Sequence, residues 1–164
     1  MRRAGVVVMA MWLVAGCASG PQFQTEGVAT GLTPREASTR GADIGGSRVL
    51  WGGVIVASTN EENTTRLEVL GYPLGGNQDP QTDRSPSGRF LVIEEGYLET
   101  ADYAPGRRIT VVGPISELRE GRIGQSPYTY PVVNPERMYL WPRDAAPRTS
   151  EPRVHFGVGV IFGR

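Results

Sequence analysis

Five stretches of the chain carry the patterning of short β-strands, and turn-forming residues separate them. Val49-Leu50-Trp51-Gly52-Gly53-Val54-Ile55-Val56 is apolar at both alternating positions, the pattern of a strand covered on two sides. Its paired glycines allow the bend that a small barrel needs. Glu61-Glu62-Asn63 reads as a turn, and Arg66-Leu67-Glu68-Val69-Leu70 follows with regular polar/apolar alternation. The pair predicts a hairpin. Residues 71–88, rich in Gly, Pro, Asp and Gln, form a long exposed loop in this reading. Arg89–Ile93 is the third strand and Arg108–Gly113 the fourth. Pro114 cannot donate to a ladder, so that region belongs at an edge or bulge. Arg137–Trp141, stopped by Pro142, is the fifth.

Composition agrees with this pattern. The 22 glycines and 13 prolines in 164 residues disfavour long helices. The expected fold is all-β: a small, partly open, five-stranded barrel of the oligonucleotide/oligosaccharide-binding (OB) type. Patterning alone does not separate such a barrel from a sandwich.

The N-terminus has a different character. Met1-Arg2-Arg3 precedes an apolar run from about Gly5 to Ala15, too short for the roughly 20 residues that span a hydrocarbon core. The run closes on Leu13-Val14-Ala15-Gly16-Cys17, which contains the single cysteine. A charged start, an apolar middle and small residues before the cut make a secretory signal. The five closing residues resemble the lipobox of bacterial lipoproteins. That resemblance implies cleavage after residue 16 and acylation of Cys17, where a thiol is needed for the thioether to lipid. The competing reading of Cys17 is a buried structural thiol. Ala18 is not the aspartate that holds such proteins at the inner membrane, so the resemblance implies the outer membrane, on its periplasmic side.

The expected organisation is a signal peptide over residues 1–16, a lipidated tether over 17–45, the barrel domain over 46–142 and a tail over 143–164. About 27 flexible tether residues would reach roughly 30 Å. Within the tether, Pro34-Arg35-Glu36-Ala37 suits the opening of a helical turn, with proline in the first position. In the tail, Val154, Phe156, Val158, Val160 and Phe162 share one face of a strand-like segment. One such strand cannot close a membrane barrel. It is expected to pack on its own domain or to pair with an envelope protein or a second copy.

Charge and chemistry narrow the function by exclusion. Every basic residue is arginine, and the full chain balances 17 basic against 17 acidic side chains. Removing Arg2 and Arg3 leaves 15 against 17, a difference of −2, with no electrostatic footprint for nucleic acid. With Cys17 acylated, no disulfide or cysteine nucleophile remains. His155 stands alone in the tail. Glu61-Glu62 and Glu94-Glu95 are neighbours whose side chains would point to opposite faces of a strand, unlike an acid/base dyad. Asp79 and Asp83 lack the spacing of an EF-hand, and Gly75-Gly76 lacks the lysine of a phosphate loop. No catalytic residue, metal site or cofactor is expected. Trp51, Tyr128, Tyr130, Tyr139 and Trp141 either fill the core or line one face able to stack on a saccharide or peptidoglycan fragment.

A series of segments is similar to the Slp family, outer-membrane lipoproteins named for a starvation-inducible member. They are Val49–Gly53, Leu67–Val69 with Tyr72-Pro73-Leu74, Gly88–Leu91, Gly96-Tyr97-Leu98, Tyr103–Arg107, Ile109–Gly113, Ile123-Gly124 with Tyr130–Val133, and Tyr139–Trp141. Glu99-Thr100 departs from the Asp-Pro the family often has there. The resemblance implies a non-enzymatic envelope protein with a structural or binding role, linked to starvation or stationary-phase stress. The alternative is a periplasmic ligand-binding module built on the aromatic face.

Overall fold

A computed structural model describes residues 21–143. A short helix, α1 (Pro34–Arg40), and a 3-10 turn over Gly41–Ile44 precede six strands. These are β1 (Arg48–Asn60), β2 (Thr64–Tyr72), β3 (Gly88–Glu95), β4 (Arg108–Ile123), β5 (Ser126–Val133) and β6 (Arg137–Leu140). Strands β1, β2 and β3 form an antiparallel meander. β3 then runs parallel to β5 through two register pairs, Leu91 with Val132 and Val92 with Val133. β5 pairs antiparallel with β4, and β4 returns to β1. Five strands thus close a ring in the order β1-β2-β3-β5-β4, and β6 pairs with β4 outside it. An all-β, partly open barrel was expected, and this is one.

β1 belongs to two sheets at once. Its first half pairs with β4, from Arg48 opposite Pro114 to Val54 opposite Arg108. Its second half pairs with β2, from Gly52 opposite Tyr72 to Asn60 opposite Thr65, with a register shift between Ile55 and Ala57. Gly52 and Gly53 lie in the overlap, where β1 is flanked on both sides. A Cβ on Gly53 would fall 2.1 Å from the Leu70 carbonyl oxygen, so only glycine fits there.

Alternation fixes the inner face. Along β2, Thr65, Leu67 and Val69 are buried while Arg66, Glu68 and Leu70 are only partly covered. Val49, Trp51, Ile55, Phe90, Val92, Ile109, Val111, Ile115 and Val133 complete the same core. Trp51 meets Phe90 edge-on at 5.2 Å between ring centroids and donates its Nε1–H to the Leu32 carbonyl at 2.7 Å. The barrel interior is filled.

Two expectations are corrected. The fourth strand does not end at Gly113: β4 continues through Pro114, with a register shift between Ile115 and Glu117. Pro114 sits at the last rung with β1, where its missing N–H leaves little unpaired. The fifth strand of the ring is Ser126–Val133, not Arg137–Trp141. Pro127 and Pro131 disguise it. Lying four residues apart, they are in the same phase, so both missing donors fall on one edge. That edge must face away from β4 for its pairing with β5 to survive. β3 reaches it only at Val132 and Val133.

The expected tether is also shorter than read. Phe23, Leu32, Ala37 and Ile44 are all buried, and the last three join the barrel core. Thr33 and Glu36 form a capping box: the Thr33 hydroxyl accepts from Glu36 N–H at 3.2 Å, and the Glu36 carboxylate accepts from Thr33 N–H at 2.8 Å. Pro34 occupies the first helical turn as expected. α1 packs against β3 and β5, over the seam that two register pairs leave thin. Its start is pressed against Gly88 (φ +119), where a Cβ would lie 2.5 Å from Arg35 N. The four apolar residues show no period because each fills a different place on the barrel. The signal peptide, Cys17 and the tail segment from Val154 to Phe162, with His155, lie outside the described residues.

Candidate functional site

In barrels of this type the outer face of β2 and β3 takes ligands, between the β1–β2 and β4–β5 connections. Here that face presents Arg66, Glu68 and Leu70 from β2, opposite Ile93, Leu91 and Arg89 from β3. The β4–β5 hairpin folds over it. Leu91, Tyr130 and Val132 form a second, smaller apolar cluster, flanked by Ile93, Ile123 and Tyr128. The rings of Tyr128 and Tyr130 meet edge-on at 4.8 Å. Gly121 lets the Tyr130 ring lie on β4, since a Cβ there would come within 2.9 Å of its Cε2.

Polar contacts secure the hairpin. The Tyr128 hydroxyl accepts from Arg89 N–H at 2.9 Å and donates to the Arg89 carbonyl at 3.1 Å. The phenol thereby does for β3 what a neighbouring strand would do further along. The Tyr130 hydroxyl lies 3.1 Å from both Glu68 Oε1 and the Arg122 carbonyl. Arg89 pairs with Glu68 at 2.5 Å, with both side chains about three-quarters buried. The hairpin thereby covers much of the ligand face and leaves a small open depression between Arg66, Glu68, Leu91 and Tyr130.

Burial pushes the Tyr130 phenol up to about 12, helped by the Glu68 charge and its hydrogen bond, with Arg89 opposing. The folded state therefore favours the neutral phenol, whereas an unfolded tyrosine ionises near 10. This contribution to stability is intact below pH of about 10 and is lost as pH rises through about 12. Spectrophotometric titration should show Tyr130 among the late-ionising phenols, with Tyr103, which burial also raises. Tyr130→Phe should remove the Tyr130 step and flatten the stability loss across the same window. A titration unchanged by the substitution would contradict the assignment.

The five aromatics do not share a face. Trp51 is in the core, and Tyr128 and Tyr130 belong to the hairpin. Tyr139 and Trp141 pair edge-on at 4.9 Å at the β6 end. Among the described residues, Tyr97 is the exposed large hydrophobic, at 69%. Tyr128 and Tyr130, two of the five aromatics expected either to fill the core or to line one face, cover their own barrel.

The acidic candidates are spread out. Glu61 pairs with Arg66 at 2.9 Å. Glu94 has its carboxyl pushed up by burial and then by the adjacent Glu95 charge, in a depression it shares with Thr64 and Asn134. Asp79 braces its own loop through Gln81 Nε2 at 3.0 Å and faces Arg108 at 3.8 Å. No group of His, Cys, Asp or Glu able to hold a metal occurs among the described residues. Gly75-Gly76 opens a tight turn, with Gly75 N–H donating to the Asp79 carbonyl at 2.8 Å.

One residue that ties the structure together had no signal in the sequence. Gln78, in that turn, adopts φ 65, a left-handed conformation uncommon outside glycine. Its side-chain oxygen accepts from Phe23 N–H at 2.7 Å, and its Nε2 donates to the Phe23 carbonyl at 3.2 Å. Its own carbonyl accepts from the buried Thr110 hydroxyl at 2.7 Å, and that hydroxyl accepts from Trp141 Nε1 at 2.9 Å. The Arg137 guanidinium lies over the Phe23 ring at 5.3 Å. Gly75-Gly76 announced a turn, but not this clamp on a residue 55 positions away.

Residues 14–159 match the outer membrane lipoprotein Slp family. The chain belongs to that family. This Slp-family chain is similar to the uncharacterized lipoprotein YeaY of Escherichia coli K12, 33% identical over 72% of this chain and 63% of that protein. It is also similar to an uncharacterized protein of Haemophilus influenzae Rd, 34% identical over 65% of this chain and 58% of that one. The match therefore spans less than two thirds of either relative. The outer membrane protein Slp of E. coli K12 is 24% identical across 99% of this Slp-family chain and 87% of its own length. The solved structure of Schizosaccharomyces pombe Pot1pC bound to single-stranded DNA covers 76% of this chain and 88% of its own, at a TM-score of 0.30 and 9% identity. That likeness carries no argument.

Proposed function

We propose that this Slp-family protein is a non-enzymatic lipoprotein held at the periplasmic face of the outer membrane by acylated Cys17. In this reading its barrel has a structural or docking role in the cell envelope during starvation or stationary-phase stress. One observation carries the reading: the barrel interior is filled, and the β4–β5 hairpin covers much of the face that binds ligands in this architecture. Family membership supports the location. The names of these relatives assign no reaction. A saccharide-binding module would need an open aromatic groove, and the aromatics are dispersed instead. The domain limits implied are a signal peptide over 1–16, with the folded unit beginning upstream of Phe23 rather than at residue 46.

Acylation is the testable core of this reading. Each buried methylene contributes roughly 0.8 kcal/mol, so several acyl chains hold a protein durably where one chain does so only marginally. Cys17→Ser should abolish fatty-acid incorporation and block lipoprotein-type removal of the signal peptide. Metabolic labelling and electrophoretic mobility measure both. Equal label on the two proteins would refute the anchor.

A further inference from the structure

The clamp on Phe23 fixes how far the barrel stands from its anchor. Phe23 is 4% exposed, its main chain is held at both N–H and carbonyl by Gln78, and Arg137 covers its ring. Five residues separate it from Cys17. Six Cα steps span at most about 21 Å at full extension. A folded unit of this length has a radius of gyration of about 14 Å, hence a breadth of roughly 35 Å. The lead is shorter than the body it holds, so the barrel is unable to turn its far end toward the lipid.

We propose that the Phe23–Gln78 clamp docks the barrel on the lipid headgroups by the face bearing Phe23, Gln78 and Arg137. The β1–β2 turn then points away from the membrane. This inference rests on the acylation of Cys17. β1 supplies the axis. It starts at Arg48, whose guanidinium donates to the Gln24 and Glu26 carbonyls, and runs 13 residues to the Glu61-Glu62-Asn63 turn. At about 3.3 Å per residue that is up to roughly 40 Å. Glu94 and Glu95 join Glu61 and Glu62 at the far end, because Glu95 pairs with Thr64 and Gly96 N–H donates to the Asn63 carbonyl. An anionic lipid surface repels that end. Geometry decides the orientation, because the near end also carries exposed acids, Glu26 and Glu136, beside Arg48 and Arg137.

The test uses the full acylated chain in phosphatidylethanolamine/phosphatidylglycerol vesicles containing a lipid with a nitroxide on its headgroup. Gln24→Cys and Glu62→Cys, both at exposed positions, are labelled with a thiol-reactive fluorophore. An acylated Cys17 is a thioether and takes no label. Quenching is expected to be several-fold stronger at position 24 than at position 62. A twenty-residue Gly-Ser insertion between Gly20 and Pro21 should bring the two sites close together in quenching. The combined change Gln78→Gly, Phe23→Ala and Arg48→Gln removes both the clamp and the Arg48 hold on the Gln24 and Glu26 carbonyls. It should raise quenching at position 62, while glycine keeps the φ 65 turn. Equal quenching with the native lead would overturn the orientation. A difference that survives both changes would overturn the role of the clamp. Labelling of the unsubstituted chain would overturn the anchor instead, leaving the orientation without its premise.

Discussion

Phe90→Ala is expected to destabilise the folded unit by about 3–5 kcal/mol, as large-to-small aromatic truncations in cores do. Phe90 is fully buried, stands on the β3 wall and packs edge-on against Trp51. Trp51 in turn ties the N-terminal segment to the barrel through Leu32. The cavity would therefore open where two layers meet and where neighbours have little room to relax. Denaturant unfolding of the Cys17→Ser protein measures the loss. Leu67→Ala, on the adjoining strand β2 and equally buried, should cost about 2–5 kcal/mol. Tyr97→Ala, at an exposed position, should stay within about 0.5 kcal/mol. A loss below about 1 kcal/mol at Phe90 would show that the inner face has been misassigned.

Gly53→Ala is expected to be as damaging or worse, at about 4–5 kcal/mol or beyond. The added methyl would meet the Leu70 carbonyl oxygen at 2.1 Å, its carbon at 2.8 Å and the Val69 Cγ1 at 2.8 Å. Two of those three atoms are backbone, so relief requires β1 and β2 to part. Against a total stability of typically 5–15 kcal/mol, this one methyl threatens the fold. Gly76→Ala is the matching control. Nothing lies within 4 Å of its Cβ position and its φ is ordinary, so the change should be nearly neutral. Circular dichroism and hydrogen exchange across the β1–β2 pairs would distinguish the two outcomes. Native stability in the Gly53 variant would mean that the strands do not approach as described.

How much was legible depended on whether a contact leaves a local trace. Leu67 and Val69 alternate with Arg66 and Glu68 because one face of β2 is buried and the other is not, so β2 was readable from its own residues. The same holds for Arg89–Ile93 and for the double-faced apolar run of β1. β5 was missed because Pro127 and Pro131 imitate a loop, while the geometry that tolerates them lies in β3 and β4. The N-terminal segment was read as a tether because Phe23, Leu32, Ala37 and Ile44 each contact a different part of the barrel. Chain periodicity records a single flat surface, not four separate sockets. Tyr128 and Tyr130 stood out by residue type alone. Their partners, the Arg89 backbone and the Glu68 carboxylate, are set by folding and not by spacing. Gln78 gave no signal, since a left-handed glutamine gripping a distant main chain has no composition of its own.

The placing of β1 between β2 and β4 has a consequence for the order in which the molecule is made. A chain growing from its N-terminus completes β1, β2 and β3 well before Arg108–Pro114 exists. Through that interval the β1 edge from Arg48 to Val54, with Val49, Leu50 and Trp51 along it, has no neighbour. Open apolar edges of this kind recruit other chains, and pairings distant in sequence are the slow ones to form. The hazardous moment in the life of this protein is therefore its synthesis and transport, when a half-made barrel needs shielding until the first residues of β4 arrive.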